Sequence, residues 1–339
     1  MDPNNWSRRH AVLALAALGP AAACATRPSL RRPLVSINLT DGGPLPRPED
    51  LEDTGALLET AADESLRMTV PVFLDGKGPF DFVVDTGANR SVVADSVAAA
   101  LALPEAGSAP VHSIAGLETT SLVRVRQLRV GQVKSSAMRL PVMRRERLGA
   151  DGLLGVDMLR NRRVALNFKD KVFEISASSR RSAYAPATDT RLKLRDPPVL
   201  VPARYRAGQL VILDAEAADQ PVAAFLDSGS QITVGNIALR DAVLKARPKL
   251  RERLISAPLI SATGQTIQAE LAVLGRLRLG GLAVTNVLVA FAPLHVFEIW
   301  DMNRRPSILV GVDVMREFDD IVLDFGRREV LFWPPTKAR

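Results

Sequence analysis

The sequence predicts an all-β protein with short helices, built from two similar lobes. Two short stretches carry this prediction, FVVDTGA at residues 82–88 and FLDSGS at 225–230. Each is an apolar run of strand character that ends in an aspartate, followed by a hydroxyl residue and a glycine. The two acids, Asp85 and Asp227, are 142 residues apart, which is about the length of one domain.

Further landmarks recur in the same order after each of these stretches. LRVG at 128–131 is echoed by LRLG at 277–280, and LLGVD at 153–157 by LVGVD at 309–313. Apolar runs that predict a closing hairpin follow in both halves. The repetition indicates one internal duplication, since two copies are too few for a solenoid. The predicted divisions are a first lobe over 66–178, a polar linker over 179–195 and a second lobe over 196–335.

Composition narrows the function classes. The chain has 339 residues, a net charge of +7 and 47% apolar residues, enough to fill two cores. Its arginines are scattered without interleaved aromatic residues, and the spacing of a zinc finger is absent, so no nucleic-acid partner is expected. The chain has one cysteine and three histidines. No metal and no cofactor are therefore predicted.

Residues 1–25 read as an export signal rather than as part of the fold. Arg8 and Arg9 precede an uncharged apolar run over 11–18, and small residues follow at 21–23. The arginine pair indicates the twin-arginine route, and the predicted location is the periplasm. Cys24 directly follows the small residues and leaves two outcomes open. Either it is lipidated and tethers the protein to a membrane of the cell envelope, or ordinary cleavage removes it.

Residues 26–65 are rich in proline and acid, and predict an extended tether with room for a short helix near Leu57. This segment contains a third copy of the motif, Asp53-Thr54-Gly55-Ala56. The residues before Asp53 are PEDLE, which cannot form a buried strand. A functional aspartate has to be held rigidly at the end of such a strand, so we reject Asp53 as a site residue.

The paired motifs resemble the active-site loops of aspartic peptidases of the pepsin and retropepsin kind. The resemblance covers about residues 68–333 and implies two retropepsin-like β-barrel lobes related by a pseudo-twofold axis. Asp85 and Asp227 would be the catalytic pair of an exported bacterial endopeptidase. The loops would be supported by the residues that follow each acid, namely Thr86, Gly87, Ala88, Ser228, Gly229 and Ser230.

Two further hairpins are predicted beside these loops. Residues 111–125 form one with Gly116 at its tip, and 259–267 form the other with Gly264 near its tip. By resemblance the first is a flap that closes over the substrate, an extended polypeptide. It lacks tyrosine, which is closer to retropepsins than to pepsins. The apolar residues expected to contact substrate are Ile114, Leu117 and Ile260.

Two carboxyl groups that share one water cannot both ionise, so one proton is held between them. The residue three places after the aspartate differs, Ala88 in one loop and Ser230 in the other. We expect the Ser230 hydroxyl to donate to Asp227 and favour its charged form, so that Asp85 more often carries the proton. The two carboxyl groups titrate as a unit, so their pKa values belong to the pair.

Three alternatives remain open at this point. The chain could be a catalytically silent module that binds a peptide in the periplasm. It could be a peptidase whose lobes pair between two chains, although the linker is long enough for the internal pairing of a monomer, which we favour. It could also be a lipid-anchored structural protein, but that reading rests on Cys24 alone and explains none of the repeated motifs.

Overall fold

The computed structural model describes residues 67–113, 116–178, 197–206, 208–261 and 265–335, and the backbone of three short strands before them. The predicted export signal, Cys24, Asp53 and the predicted linker over 179–195 lie outside the described residues. The short strands are β1 (Ile37–Leu39), β2 (Ala56–Glu59) and β3 (Ala61–Ala62).

The first lobe contains seven strands and three short helices. The strands are β4 (Met68–Leu74), β5 (Lys77–Val84), β6 (Val92–Ala94), β7 (Glu105–His112), β8 (Leu117–Val130), β9 (Val133–Met143) and β10 (Gly152–Leu154). The helices are α1 (Asp95–Ala100), α2 (Arg145–Leu148) and α3 (Val156–Leu159). Six strands follow one another in the order β4-β5-β10-β6-β9-β8, and β8 pairs back onto β4. The lobe is therefore a closed barrel, from which the hairpin of β7 and β8 extends.

Two hairpins then connect the lobes, and the second lobe lies between them in the chain. The strands are β11 (Arg162–Asn167), β12 (Val172–Ala177), β13 (Val199–Arg206), β14 (Gln209–Ala217), β15 (Gln220–Leu226), β16 (Thr233–Gly235), β17 (Ile255–Ile260), β18 (Thr266–Leu279), β19 (Leu282–Phe291), β20 (Ser307–Val310), β21 (Asp320–Asp324) and β22 (Glu329–Trp333). The helices are α4 (Ile237–Ala246), α5 (His295–Ile299) and α6 (Val312–Met315), with a 3₁₀ helix over Pro248–Arg253.

The second lobe repeats the first strand for strand. Its barrel runs β14-β15-β20-β16-β19-β18, and β18 closes onto β14. Each strand occupies the place of its counterpart in the first barrel, and β17 matches β7 as the outer strand of a hairpin. This equivalence confirms the predicted all-β fold with two barrel lobes and an internal duplication.

A sheet shared by both lobes joins the two barrels. The closing hairpins meet through β11 and β21, which pair antiparallel from Arg163 opposite Asp324 to Leu166 opposite Ile321. On the outer sides, β12 pairs with β2, and β22 pairs with β13. The lobes are thus tied together by backbone hydrogen bonds at a distance from the aspartate loops.

Buried apolar residues form the core of the first barrel. In β4, the alternate residues Val70, Val72 and Leu74 are fully buried, and in β5 the run ends in buried Phe82, Val83 and Val84. These side chains fill the first barrel directly beneath Asp85. The buried end of the strand therefore holds the acid in a defined position.

The second lobe departs from this symmetry at its helix α4, which is longer than α1. Asn236 caps α4, because its Oδ1 accepts a hydrogen bond of 2.8 Å from the amide of Leu239. Its Nδ2 donates to the carbonyl oxygens of Met302 and Arg305. The cap thus also fastens the helix to the chain that enters β20.

The interpretation of 26–65 as a tether needs a correction. β1 pairs with β19, β2 with β12 and β3 with β4, so this segment adds edge strands to existing sheets. The helix suggested near Leu57 was wrong, because Leu57 lies in β2 opposite Glu174. The backbone partners of these short strands are sheet edges elsewhere in the chain. The composition of residues 26–65 does not reveal those edges, so the strands could not be predicted from it.

Gly155 packs directly behind the first aspartate loop. A Cβ at this position would lie 2.5 Å from the carbonyl carbon of Arg90 and 2.8 Å from the amide nitrogen of Ser91. We expect Gly155→Ala to lower the free energy of unfolding by about 1–3 kcal/mol, because the backbone has to move apart. Equilibrium unfolding in urea measures this. Gly275→Ala is the control, since its Cβ would meet Arg247 at 3.7 Å, and an equal loss in both variants would contradict the prediction.

Candidate active site

Each aspartate is held at the end of its strand by the parallel strand behind it. β10 runs parallel to β5, and the amide of Asp85 donates to the carbonyl oxygen of Leu154 over 3.0 Å. In the second lobe, β20 runs parallel to β15, and the amide of Asp227 donates to the carbonyl oxygen of Val310 over 2.9 Å. The repeated stretches LLGVD and LVGVD therefore lie directly behind the two loops.

Two backbone amides in each loop bind one oxygen of the aspartate that precedes them. The Oδ1 of Asp85 accepts bonds of 2.9 and 2.8 Å, and the Oδ1 of Asp227 accepts bonds of 2.9 and 3.2 Å. This fixes both carboxyl planes and leaves the second oxygen of each to other partners. The donors are Gly87 and Ala88 in the first loop, and Gly229 and Ser230 in the second.

A reciprocal set of hydrogen bonds locks the two loops together. The Thr86 hydroxyl donates to the carbonyl oxygen of Leu226 over 2.8 Å, and the Ser228 hydroxyl donates to that of Val84 over 2.7 Å. The amide of each of these two residues also donates to the hydroxyl of the other, over 3.1 and 3.0 Å. Thr86 is 1% exposed and Ser228 is fully buried, so water does not compete for these bonds.

The glycines of the two motifs allow the carboxyl groups to meet. A Cβ on Gly87 would lie 2.4 Å from the Cγ of Asp227, and a Cβ on Gly229 would lie 2.4 Å from the Cγ of Asp85. Any other residue would collide with the aspartate of the opposite lobe. The side chains of Asp85 and Asp227 accordingly hydrogen-bond to each other.

Burial raises the pKa of both carboxyl groups, because neither is fully solvated in its charged form. At Asp227 the negative charge of Asp85 adds to burial and raises the pKa to about 8. At Asp85 the Ala88 amide, the guanidinium of Arg67 and the Gly87 amide oppose the effect of burial on the pKa. The surroundings of the two carboxyl groups are therefore unequal, and the pair titrates as a unit.

The expectation that the Ser230 hydroxyl donates to Asp227 needs a correction. The Ser230 hydroxyl donates to the carbonyl oxygen of Ile232 over 2.8 Å and not to Asp227. Only the backbone amide of Ser230 contacts that carboxyl group, and the Ala88 amide does the same in the other loop. The side-chain difference between the loops thus has no direct effect on the pair.

Sequence reasoning missed a second pair of acids that fastens the loops from behind. Asp157 accepts a 2.7 Å bond from the hydroxyl and a 3.0 Å bond from the amide of Ser91. In the second lobe, Asp313 accepts bonds of 2.8 and 3.0 Å from the hydroxyl and amide of Thr233. Recurrence of Gly-Val-Asp after both strands was the signal that could have identified them.

The predicted flap residues fall partly within the described chain. Ile114 and Gly264 lie outside the described residues. Gly116 and Leu117 lie at the start of β8, and Ile260 ends β17, with Leu117 and Ile260 each 55% exposed. Both exposed apolar side chains are at the ends of the two hairpins, where the sequence predicts contacts with substrate.

The first hairpin contacts the second lobe through residues that sequence reasoning did not single out. The Ser113 hydroxyl donates to the Oε1 of Gln265 over 3.3 Å, next to the opposite hairpin tip. The Nδ1 of His112 lies 2.9 Å from the Nε2 of His295, and the two rings stack with their centroids 5.2 Å apart. The two hairpins therefore close on each other across the pseudo-twofold axis.

Two observations on the described residues concern metal binding and membrane-spanning helices. In that part of the chain, no three histidine, cysteine, aspartate or glutamate side chains converge in a way that could bind a metal ion. No described helix is long and apolar enough to cross a bilayer.

Comparison with known proteins decides the family. The sequence profile of the family described as aspartyl protease matches residues 70–158 and 213–314, which together make up more than half of the chain. This chain belongs to the aspartyl protease family. The two matched segments of this aspartyl protease chain each contain one of the paired motifs. Among curated proteins, none matches it significantly.

Solved structures of similar architecture are distant in sequence. Basic 7S globulin from soybean has a TM-score of 0.46 at 10% identity, over 84% of this chain and 96% of that one. A protein named edgp has a TM-score of 0.44 at 10% identity, over 84% of this chain and 95% of its own. A retropepsin-like aspartic protease from Rickettsia conorii, at 14% identity and a TM-score of 0.27, covers 38% of this chain and 96% of its own.

Burial of Asp227 makes stability depend on pH. Its pKa is higher in the folded than in the unfolded protein, so the folded state binds more protons between about pH 4 and 8. Stability is therefore lost as the pH rises through that window. We expect Asp227→Asn to be more stable than the wild type by more than about 1 kcal/mol near pH 8, and the difference to shrink toward pH 4.

Urea unfolding at several pH values measures this difference. Glu252→Gln removes an exposed carboxyl group from the 3₁₀ helix and is the matched control. A constant difference between Asp227→Asn and the wild type across the window would contradict the prediction.

The contact between His112 and His295 should restrain the first hairpin. We expect His112→Ala to speed amide hydrogen exchange over residues 116–120 severalfold, because the hairpin end then opens more often. Exchange followed by mass spectrometry measures this. Thr119→Ala, an exposed residue of the same strand, is the control, and unchanged exchange in His112→Ala would show that the histidine contact does not hold the hairpin.

Proposed function

We propose that this chain is an aspartic endopeptidase that hydrolyses peptide bonds through a water activated by Asp85 and Asp227. The observation that carries the proposal is the contact between the two carboxyl groups on loops locked by Thr86 and Ser228. Buried acids that share a proton are costly to hold together, and such arrangements cluster at catalytic sites. Membership of the aspartyl protease family supports the same chemistry.

The mechanism follows from the unequal carboxyl groups. Asp85, the ionised member, acts as general base and takes a proton from the bound water as the water oxygen attacks the scissile carbonyl carbon. Asp227, the protonated member, hydrogen-bonds to the carbonyl oxygen and gives it a proton as the tetrahedral intermediate forms. The proton on Asp85 then passes to the leaving amine, the carbon–nitrogen bond breaks, and a hydroxyl proton returns to Asp227. No covalent bond to the enzyme is needed.

The substrate would be an extended polypeptide lying between the loops and the two hairpins. Exposed edges of β7 and β17 offer backbone donors and acceptors to such a chain. Leu117 and Ile260 are the apolar side chains available at the hairpin ends for substrate side chains. We further propose that substrates are polypeptides of the cell envelope, reached by the export signal over 1–25 and, where Cys24 is lipidated, from a membrane tether.

We also propose that one chain suffices for activity. The reciprocal bonds between Thr86 and Ser228 join lobes of the same polypeptide. Mixing separately purified Asp85→Asn and Asp227→Asn proteins tests this, since lobes that pair between chains would regain an intact pair and hence activity. If each chain pairs its own two lobes, the mixture should show no recovery of activity.

Substitution of either aspartate tests the enzymatic function. We expect Asp85→Asn and Asp227→Asn each to lower kcat/KM on an unfolded casein substrate by about 10³-fold or more, because each removes one proton-transfer group. Asp53→Asn is the matched control, because it changes the third motif, which we exclude from the site. Cleavage by both variants at the wild-type rate would overturn the proposal. Peptide binding without cleavage by the wild type would favour the silent binding module instead.

A further inference from the structure

The residues that lie opposite the two aspartates in their hairpins are not the same in the two lobes. In the first barrel, Thr69 of β4 pairs with Val83 of β5. Continuing this antiparallel register by two places sets Arg67 opposite Asp85. Arg67 lies two places before Thr69, and Asp85 lies two places after Val83, so each shares a sheet face with its neighbour in that pair. The Arg67 side chain therefore starts beside the carboxyl group of Asp85.

The second barrel has the same geometry with a different residue. Val211 of β14 pairs with Phe225 of β15, and two further places set Gln209 opposite Asp227. Arg67 and Gln209 thus occupy equivalent positions of the duplicated fold. One lobe has a permanent cation at this position and the other has a neutral amide.

Both side chains are enclosed by the protein. Arg67 is 8% exposed, and its Nη2 donates to the carbonyl oxygen of Leu148 over 2.5 Å. Gln209 is 2% exposed, and its Nε2 donates to the Gly87 carbonyl oxygen over 3.0 Å and to the Oδ1 of Asn89 over 2.9 Å. Arg67 therefore braces its own lobe, whereas Gln209 braces the aspartate loop of the other lobe.

We propose that Arg67 is a positioning residue that assigns the two roles in the dyad. Its buried charge keeps Asp85 ionised and leaves the shared proton on Asp227, whose counterpart residue, Gln209, contributes no charge. The assignment of roles in hydrolysis rests on the proposed function. The assignment of the proton does not, because it concerns the folded protein without substrate.

The other donors around the pair are of the same kind in both lobes. Each carboxyl group faces the other one and two backbone amides of its own loop, at 2.9 and 2.8 Å for Asp85 and at 2.9 and 3.2 Å for Asp227. The Ser230 hydroxyl, which could have distinguished them, is bonded to Ile232. Arg67 faces Asp85 from the segment entering β4, and a cation close to a buried carboxylate favours its charged form strongly because little water screens it.

The first experiment needs no enzymatic activity. Carbon-13 NMR titration of the carboxyl groups is carried out on Asp227→Asn, which leaves Asp85 alone, and on Asp85→Asn, which leaves Asp227 alone. Removing the partner removes the mutual repulsion, so the comparison measures the two surroundings. We expect the acid dissociation constant of Asp85 to exceed that of Asp227 by about tenfold or more. Equal constants, or a stronger acid at Asp227, would overturn the proposal.

Adding Arg67→Gln to Asp227→Asn places a glutamine opposite the aspartate, as in the second lobe. We expect this change to bring the dissociation constant of Asp85 to within about threefold of that of Asp227 in Asp85→Asn. Arg67→Lys in the same background should keep most of the difference, because it retains the charge. If Arg67→Lys reduces the difference between the two dissociation constants as much as Arg67→Gln does, Arg67 acts through its contact with Leu148 and not through its charge. That result would contradict the proposal.

The second experiment follows catalysis. In the pH profile of kcat/KM, we expect Arg67→Gln to move the acid limb to a proton concentration about tenfold lower, while Arg67→Lys stays near the wild type. Arg251→Gln removes an exposed charge of the second lobe and is the control. An unmoved limb in a folded Arg67→Gln enzyme contradicts the proposal. Should the wild type show no hydrolysis while the NMR constants differ as expected, the proposed function fails and the role of Arg67 stands.

Discussion

Contact between the buried carboxyl group of Asp227 and the half-buried one of Asp85 is the constraint on which the structure depends. Two negative charges at this distance in a poorly solvated site repel strongly, so the protein has to hold Asp85 and Asp227 together against that repulsion. It does so in two ways. A shared proton removes one charge, and the reciprocal hydrogen bonds of Thr86 and Ser228 prevent the loops from separating.

The duplicated barrels make this contact possible. Each barrel presents one aspartate at the end of a buried strand, with a parallel strand behind it and an acid from the Gly-Val-Asp stretch fastening the loop. One lobe by itself contributes half of the site. The shared sheet of closing hairpins and the loop bonds then orient the two halves. The carboxyl group of Asp227 fits beside Gly87 because glycine has no side chain.

Departures from this symmetry give the two aspartates different surroundings. Arg67 and Gln209 occupy one equivalent position, and only the first carries a charge. Hairpin contacts are also unequal, because His112 in the first hairpin reaches His295 of the second lobe. Duplication thus supplied a symmetric frame, and a few facing positions differ between its two halves.

The sequence by itself determined the fold class, the duplication, the two aspartates and the glycines between them. These features depend on local order along the chain, such as an apolar strand before an acid, and the repetition of that order made them recognisable. The sequence also argues against Asp53 as a site residue, since the residues directly before it lack strand character. What it suggested about Ser230 was wrong, because a hydroxyl chooses among acceptors that only the folded loop brings near.

The contacts of Arg67, Gln209, His112 and Asp157 are decided by the fold alone. The decisive neighbours of these residues are set by strand register and by the docking of one lobe on the other. Their separations in the chain range from 18 residues, for Arg67 and Asp85, to 183, for His112 and His295. Hydrogen bonds and charge interactions act over a few ångströms, so such effects are defined only once folding has brought these distant segments together.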